Sequence, residues 1–430
     1  MSKIIAIVGM GLCGNAVFCR LVEELAKENQ EDITILLFEK NPRYLATGFA
    51  YSVDSPDCWT LNNPTEGFKF ISTADSLTKW MDENQEMLKD SFPRADKAYV
   101  PRALVGHYLK AQYEQHKKLA QQLGINVAVL SENIMDVKPL DFDRYRLQSG
   151  SNTYDVDALF LTTGHLNAQH YSALEDKQEY VPFEEIRQLS HVDSLGSDIY
   201  IIGGQAAFVD AALWLTIEKK FTGTLHSITR NPSVITTKGN GDTCETNALD
   251  TLTQSLTEKP KRTMGVDEAR NVFWNAYQKD AKEPLVREKL PGTQSALRYQ
   301  MDKYDCKPVN NTAGNIDELR NFIKNFYFSR AYQLMWECLN EEGKVEFSKQ
   351  FYSFFMAYLT GITPINARIL LALYESSRVI ENQGLTDIVY DEEKQQFKLS
   401  FASGQIHYTT HIIDATGYRY HPEAQNAKPM

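Results

Sequence analysis

The sequence predicts an α/β fold in which two strand–helix–strand units are interleaved and a helical segment is inserted. Three observations predict it. A glycine-rich turn joins an apolar strand to an apolar helix at residues 9–14, and a second such turn stands at 203–208. Two further apolar stretches end in Thr-Gly, at 163–164 and 416–417. With 430 residues, 43% hydrophobic and 23% charged, the chain has globular composition and room for two or three domains.

The first unit opens almost at once, with KIIAIVGMGLCGNAVFCRL at residues 3–21. Ile4–Val8 reads as a buried strand, and Cys13–Lys27 as a helix that turns Val17, Leu21, Val22 and Leu25 inward. ITILLF, at 33–38, is the next buried strand, so the whole has the size of a βαβ crossover. INVAVL (125–130) and DALFLTTG (157–164) follow as strands. DIYIIGG (198–204) begins the second unit, continued by an apolar helix and the strand TLHSITR at 224–230. From about 240 to 380 helical patterns rich in Tyr, Phe and Trp take over, with Tyr332, Leu334, Met335, Cys338 and Leu339 at helix-face spacing. FKLSFASGQIHYTTHIIDATG (397–417) returns to strands, with a hairpin turn at Ser403–Gly404. The expected domains are 1–170 with 385–430, then 190–260, and a helical segment over 261–384.

The spacing Gly9-x-Gly11-x-x-Gly14 has a physical reading. The first glycine permits a tight strand-to-helix turn, the second lets backbone approach a pyrophosphate, and the third lets the helix pack on the strand. The helix N-terminus, at Leu12, Cys13 and Asn15, then offers unpaired N–H groups and a positive dipole end to phosphates. Glu39 ends the second strand 25 residues beyond Gly14, followed by Lys40. A carboxylate there accepts hydrogen bonds from a ribose diol and repels a 2′-phosphate, which favours FAD or NAD over NADP. A turn that only closes the fold is the bland alternative. With the second unit, this predicts two interleaved Rossmann-like dinucleotide-binding domains with a helical insert, the layout of two-dinucleotide flavoproteins. In such proteins Thr-Gly strand ends, here Thr163–Gly164 and Thr416–Gly417, mark chain crossings between the FAD and NAD(P) domains; two ordinary strand-ending turns are the alternative.

The second turn departs from the pattern. Counted from Gly203 and Gly204, Gln205 stands where the second glycine belongs and Phe208 where the third does. Gln205 puts a side chain where a pyrophosphate needs bare backbone. Arg230, just after the next strand, is placed either to grip a 2′-phosphate, which would favour NADPH, or to lie solvated at a strand end.

Several classes are disfavoured. A net charge of −11 with no long basic run (EKPKR at 258–262 is short) argues against nucleic acid. No apolar run approaches the length of a membrane span. Six scattered cysteines with no C-x-x-C, and nine histidines without metal-ligand spacing, argue against a disulfide frame, a thiolate zinc site and a paired-cysteine redox centre. With a strand starting near residue 3, the expectation is a cytoplasmic enzyme acting on a small molecule, with no nucleic-acid or membrane partner.

GMGLCGN, GFAYSVDSPDCWTLNNP (48–64), YVPRALVGHYL (99–109), TTGH (162–165) and DATGYRYHP (414–422) together resemble the bacterial FAD/NAD(P)-binding oxidoreductase family. That family includes aspartate N-monooxygenases and is related to the N-hydroxylating, class B flavin monooxygenases. The resemblance covers most of the chain and implies FAD, with NADPH as reductant. It implies that Asn62 and Arg102 fall in segments lining the flavin site, and that relatives usually run on beyond ATGY, whereas this chain stops at Met430. It also implies oxygenation of a small amine or amino acid. A reductase without oxygen insertion and a non-catalytic dinucleotide binder are the alternatives. The aromatic helices over about 320–375 are either a dry cover for such a site or plain core. His165 could hydrogen-bond cofactor or substrate, or cap its own loop.

Overall fold

The structure is a computed structural model that describes residues 3–28, 32–71, 76–92, 98–141, 143–164, 171–177, 179–189, 192, 196–237, 247–286, 290–307 and 316–417. The chain divides into two units, the second spanning Tyr171–Gly417.

The first unit opens with β1 (Lys3–Val8), α1 (Leu12–Glu28) and β2 (Ile33–Phe38). An insertion carrying α2 (Leu77–Glu83) and α3 (Gln85–Ser91) then leads to α4 (Arg102–Gln122) and β3 (Asn126–Leu130). A three-stranded antiparallel meander follows, of β4 (Asp136–Pro139), β5 (Tyr145–Gln148) and β6 (Thr153–Val156), and then β7 (Ala158–Leu161). The parallel sheet has the order β3-β2-β1-β7. KIIAIV and ITILLF form its centre because both of their faces are covered, as parallel strands require. Ile7, Ile33, Ile35 and Leu37 pack with Phe18, Cys19 and Val22 of α1 and Tyr113 and Ala120 of α4. The alternate residues Ala6, Val8 and Phe38 pack with Leu147 and Val156 of the meander.

The second unit repeats this plan. After β8 (Tyr180–Pro182) come β9 (Asp198–Ile202), α5 (Ala206–Leu213) and β10 (Thr224–Thr229). The insertion here is large and helical: α6 (Asn247–Thr257), α7 (Val266–Asp280), α8 (Thr293–Tyr304), α9 (Ile316–Tyr327), α10 (Arg330–Cys338), α11 (Glu341–Glu346) and α12 (Tyr352–Leu359). Then α13 (Pro364–Glu375) and β11 (Val379–Gln383) take the places of α4 and β3. A second meander, β12 (Leu385–Asp391), β13 (Gln396–Phe401) and β14 (Ile406–Thr409), precedes β15 (Ile412–Asp414). The sheet order β11-β10-β9-β15-β8 is the first sheet's order with one strand added at its edge.

Residues 385–417, expected with the first domain, belong to the second unit. Ile412 and Ile413 are buried because β15 lies between two parallel partners, with Ile412 opposite both Tyr200 and Tyr180. The meander turns Phe397, Leu399 and Phe401 onto Ile202 and Ile228 of the same sheet. The 364–383 stretch, expected within the helical segment, likewise supplies α13 and β11 of this framework.

Most of the aromatic residues of the insertion form its own core, whereas Tyr304, Phe328, Trp336 and Tyr352 are exposed. Phe273, fully buried, makes edge contacts with Phe322 at 5.4 Å and with Phe326 and Phe355 at 5.1 Å between centroids. No helix among the described residues is long and apolar enough to cross a membrane.

Candidate dinucleotide sites

The first glycine turn is held by the two strands beside β1. Gly9 has φ +92°, and its N–H donates to the Phe38 carbonyl at 2.9 Å. A Cβ on Gly9 would stand 2.5 Å from the Thr162 carbonyl oxygen. Thr162 in turn donates its N–H to the Val8 carbonyl (2.9 Å) and its Oγ1 proton to that of Gly9 (2.7 Å). The TTG strand end and the glycine turn therefore form one folded piece. Gly14 sits in the first turn of α1, where a Cβ would overlap the Gly9 carbonyl oxygen. Gly11 faces Gly48, whose Cα would be 3.4 Å from an added Cβ. Leu12 starts α1, and Cys13, next along, is exposed. Thr163 and Gly164 follow β7 and are exposed. His165 lies outside the described residues.

Asn15 does not present its side chain to a ligand. It is fully buried, and its Nδ2 donates to the carbonyls of Ala46 (3.0 Å) and Leu109 (2.9 Å) while Oδ1 accepts from Cys19 Sγ at 3.3 Å. Its N–H is also used, donating to Gly11. Asn15 thus clamps α1 between the insertion and α4. Glu39, half-buried at the end of β2, accepts the N–H of Met10 on one carboxylate oxygen (3.1 Å) and that of Asn41 on the other (3.0 Å). Each oxygen retains a second acceptor position. Lys40, next to it, is exposed.

The insertion after β2 returns to this turn. Ala46 donates its N–H to the Met10 carbonyl at 2.6 Å. Further on, Thr60 bridges to Pro101, Leu61 N–H donates to Val100, and Arg102 donates through its N–H to Trp59 (2.7 Å) and through Nε to the Thr60 carbonyl (3.1 Å). The half-buried Asn62 and Arg102, 40 residues apart in sequence, are thereby brought onto neighbouring backbone. Tyr51 is the residue the sequence did not single out. Burial pushes its hydroxyl up, the Arg102 guanidinium opposes that, and Cys13 adds to it, so the phenol lies within electrostatic reach of both. Its only sequence signal was its place in GFAY.

The second turn repeats the first at its start. Gly203 has φ +138°, its N–H donates to Ile228 at 2.8 Å, and a Cβ on it would stand 2.5 Å from the Ala415 carbonyl oxygen. Ala415 N–H donates to Ile202 at 2.8 Å, as Thr162 does to Val8. ATG at 415–417 is thus the counterpart of TTG at 162–164. Thr416 and Gly417, expected to complete the first domain, close the second unit instead. Asp414 fixes them, accepting the Thr416 N–H on Oδ1 (2.9 Å) and the Tyr180 hydroxyl on Oδ2. Gly204 packs against Thr229 and Ser233. Phe208 is fully buried in α5, so bulk at the third glycine position is absorbed by the core. The Gln205 side chain donates to Ser233 Oγ and to the Val234 carbonyl (3.3 Å), and Ser233 Oγ donates to the Gly204 carbonyl at 2.8 Å. Arg230 is exposed and makes no ion pair with a described residue. Among the described residues no group of three His, Cys, Asp or Glu side chains is placed to hold a metal ion.

Two sheets of one strand order, each with a glycine turn closed by a Thr-Gly strand end, define a chain with two Rossmann-like dinucleotide-type domains, the fold of the flavin monooxygenases. Residues 6–166 match a family model described as FAD-NAD(P)-binding, a span running from β1 through β7. Among solved structures, the chain is similar to L-lysine 6-monooxygenase from Pseudomonas syringae, with TM-score 0.51 and 12% identity, over 99% of this chain and 84% of that one. It is similar to the FAD-bound cadaverine monooxygenase DfoA from Erwinia amylovora, with TM-score 0.50 and 17% identity, over 98% and 79%. It is also similar to the ornithine hydroxylase PvdA from Pseudomonas aeruginosa, with TM-score 0.50 and 11% identity, over 98% and 83%. At these identities the fold is what is shared. No curated protein sequence matches the chain.

Proposed function

We propose that this chain is an FAD-dependent monooxygenase that uses NADPH and N-hydroxylates a small amine or amino acid. The observation that carries the reading is the first glycine turn. It exposes the N-terminus of a 17-residue helix beside a carboxylate with free acceptor positions, which suits a diphosphate followed by a ribose. The first-turn N–H groups of α1, from Leu12 to Gly14, have no acceptor within the helix and would bind the diphosphate. Glu39 would orient the ribose diol through its remaining lone pairs. Arg102, held by Trp59 and Thr60, would fix the flavin end, and Arg230 would take a 2′-phosphate in the second unit. When bound, the flavin supplies the redox chemistry, accepting a hydride and, once reduced, activating dioxygen. An aliphatic amine substrate is favoured by the similar structures, which are a lysine, a cadaverine and an ornithine monooxygenase or hydroxylase.

Gln205 favours a second reading, a flavoprotein whose second unit uses NADPH poorly or not at all. One set of measurements tests both. Ligand released from the purified chain by heat should have the mass of FAD, and anaerobic NADPH should bleach the flavin absorbance. In air, an amine substrate should convert NADPH-driven peroxide release into hydroxylamine. Release of no flavin after reconstitution in excess FAD overturns the proposal. Bleaching with no hydroxylamine across an amine and amino-acid panel leaves a reductase.

A further inference from the structure

The two glycine turns can be compared residue by residue. Gly9 and Gly203 share positive φ, an N–H bond to the neighbouring strand, and a 2.5 Å approach to the carbonyl of the Thr-Gly strand end. Counting two residues on, Gln205 occupies the place of Gly11. Gly11 leaves that place bare of side chains, with the main chain of Gly48 opposite, its Cα at 3.4 Å and its N at 3.7 Å from an added Cβ. Gln205 fills it with a side chain whose amide reaches across to the loop after β10 and bonds both Ser233 and Val234. The bonding is directionally consistent. Ser233 spends its proton on the Gly204 carbonyl and keeps a lone pair for the Gln205 amide. Turn and loop are thus tied together at the point where a pyrophosphate needs open backbone. The loop they tie carries Arg230, three residues before Ser233.

We propose that Gln205 and Ser233 form a latch that sets the affinity of the second unit for a 2′-phosphorylated nicotinamide dinucleotide, and that the dinucleotide binds only when the Gln205 amide leaves Ser233 and Val234. The proposal rests on the reading that the second unit serves NADPH. It identifies Gln205 as a positioning residue whose removal improves binding, the reverse of what a phosphate ligand would do. Gln205→Gly should fold, because Gln205 precedes α5 in extended conformation, with φ −130° and ψ −156°, and makes no side-chain cap.

The test is calorimetric titration of NADP⁺ into the purified chain and its variants, with near-ultraviolet circular dichroism and thermal melting as checks of folding. Gln205→Gly should bind NADP⁺ about tenfold more tightly than the parent, a difference of about 1.4 kcal/mol. Ser233→Ala, which removes one of the two acceptors, should gain about threefold. A Gln205→Gly variant that folds and binds no better than the parent overturns the latch. If the parent still binds in that case, NADPH use stands. If none of the three proteins binds NADP⁺, the latch and the NADPH reading fall together.

Discussion

Asn15→Ala should loosen the first unit and weaken its hold on FAD. The side chain is fully buried, and its amide satisfies two main-chain carbonyls, of Ala46 in the insertion and Leu109 in α4. Alanine removes both donors and leaves those oxygens without that partner in a dry interior. Unpartnered buried polar groups cost about 1–3 kcal/mol each, and carbonyls, with two lone pairs, belong at the low end. Two of them, plus a weak Cys19 thiol bond, give about 2–3 kcal/mol. For a unit of this size each kcal/mol lowers the melting temperature by about 2–4 °C, so a fall of roughly 5–10 °C is expected. The effect should extend to the cofactor, because Ala46 also donates to Met10, at the centre of the glycine turn. Thermal melting and FAD titration followed by flavin fluorescence measure both. Asn15→Asp keeps the shape but loses both donors and buries a carboxylate, so it should be worse than alanine. An alanine variant that melts within 2 °C of the parent and binds FAD equally would refute this account of Asn15 as a clamp.

Arg230→Ala should lose about tenfold in NADP⁺ affinity and less than twofold in NAD⁺ affinity, since a charge-assisted bond to a phosphate contributes about 1.5–3 kcal/mol; equal losses would remove the 2′-phosphate role. The second unit should also be acid-sensitive. Burial, reinforced by His226, holds His407 below its ordinary 6.5, and burial does the same to His411. Below that value the unfolded chain takes up protons that the folded unit resists. The stability these residues contribute is therefore complete above about pH 6.5 and declines as pH falls through their lowered values. Melting followed from pH 8 to pH 5 should show the decline, and His407→Gln should flatten it. An unchanged slope in that variant would rule His407 out as a cause.

The glycine turns were readable because their spacing is local and Gly14 answers to a clash with Gly9 five residues away, although the clash that requires Gly9 is with Thr162, across the sheet. Long-range partners were not readable. Asn15 looks like one more residue of a helix first turn until Ala46 and Leu109, which nothing in the sequence links to it, close around its amide. The strand HIID was visible as a strand, but its sheet was not. Two buried isoleucines suit the edge of either sheet, and only pairing with Tyr180 and Tyr200 decides the matter. The first meander was missed because its strands are four residues long and have only Leu147 and Val156 buried among them, so their alternation falls below what a run of polar and charged residues can reveal. The aromatic run over 320–375 was open to two readings. Packing of Phe322, Phe326 and Phe355 around Phe273 makes these rings the core of the insertion.

The repeat locates where the two units diverge. In both, the extra chain enters after the second strand and rejoins the framework at the helix before the third, α4 in one unit and α13 in the other. In both, the first residues of that extra chain touch the glycine turn. Ala46 donates to Met10 in the first unit, and Ser233 and Val234 accept from Gln205 in the second. The contacts differ in kind. The first is backbone to backbone and leaves the bare face of Gly11 free of side chains. The second is carried by the side chain at the position where Gly11 would stand. A glycine fingerprint therefore describes only half of such a site. The other half is the start of the insertion, whose contact with the turn decides whether main chain is left open for a diphosphate. By that criterion the first turn is built open and the second is held by one removable amide.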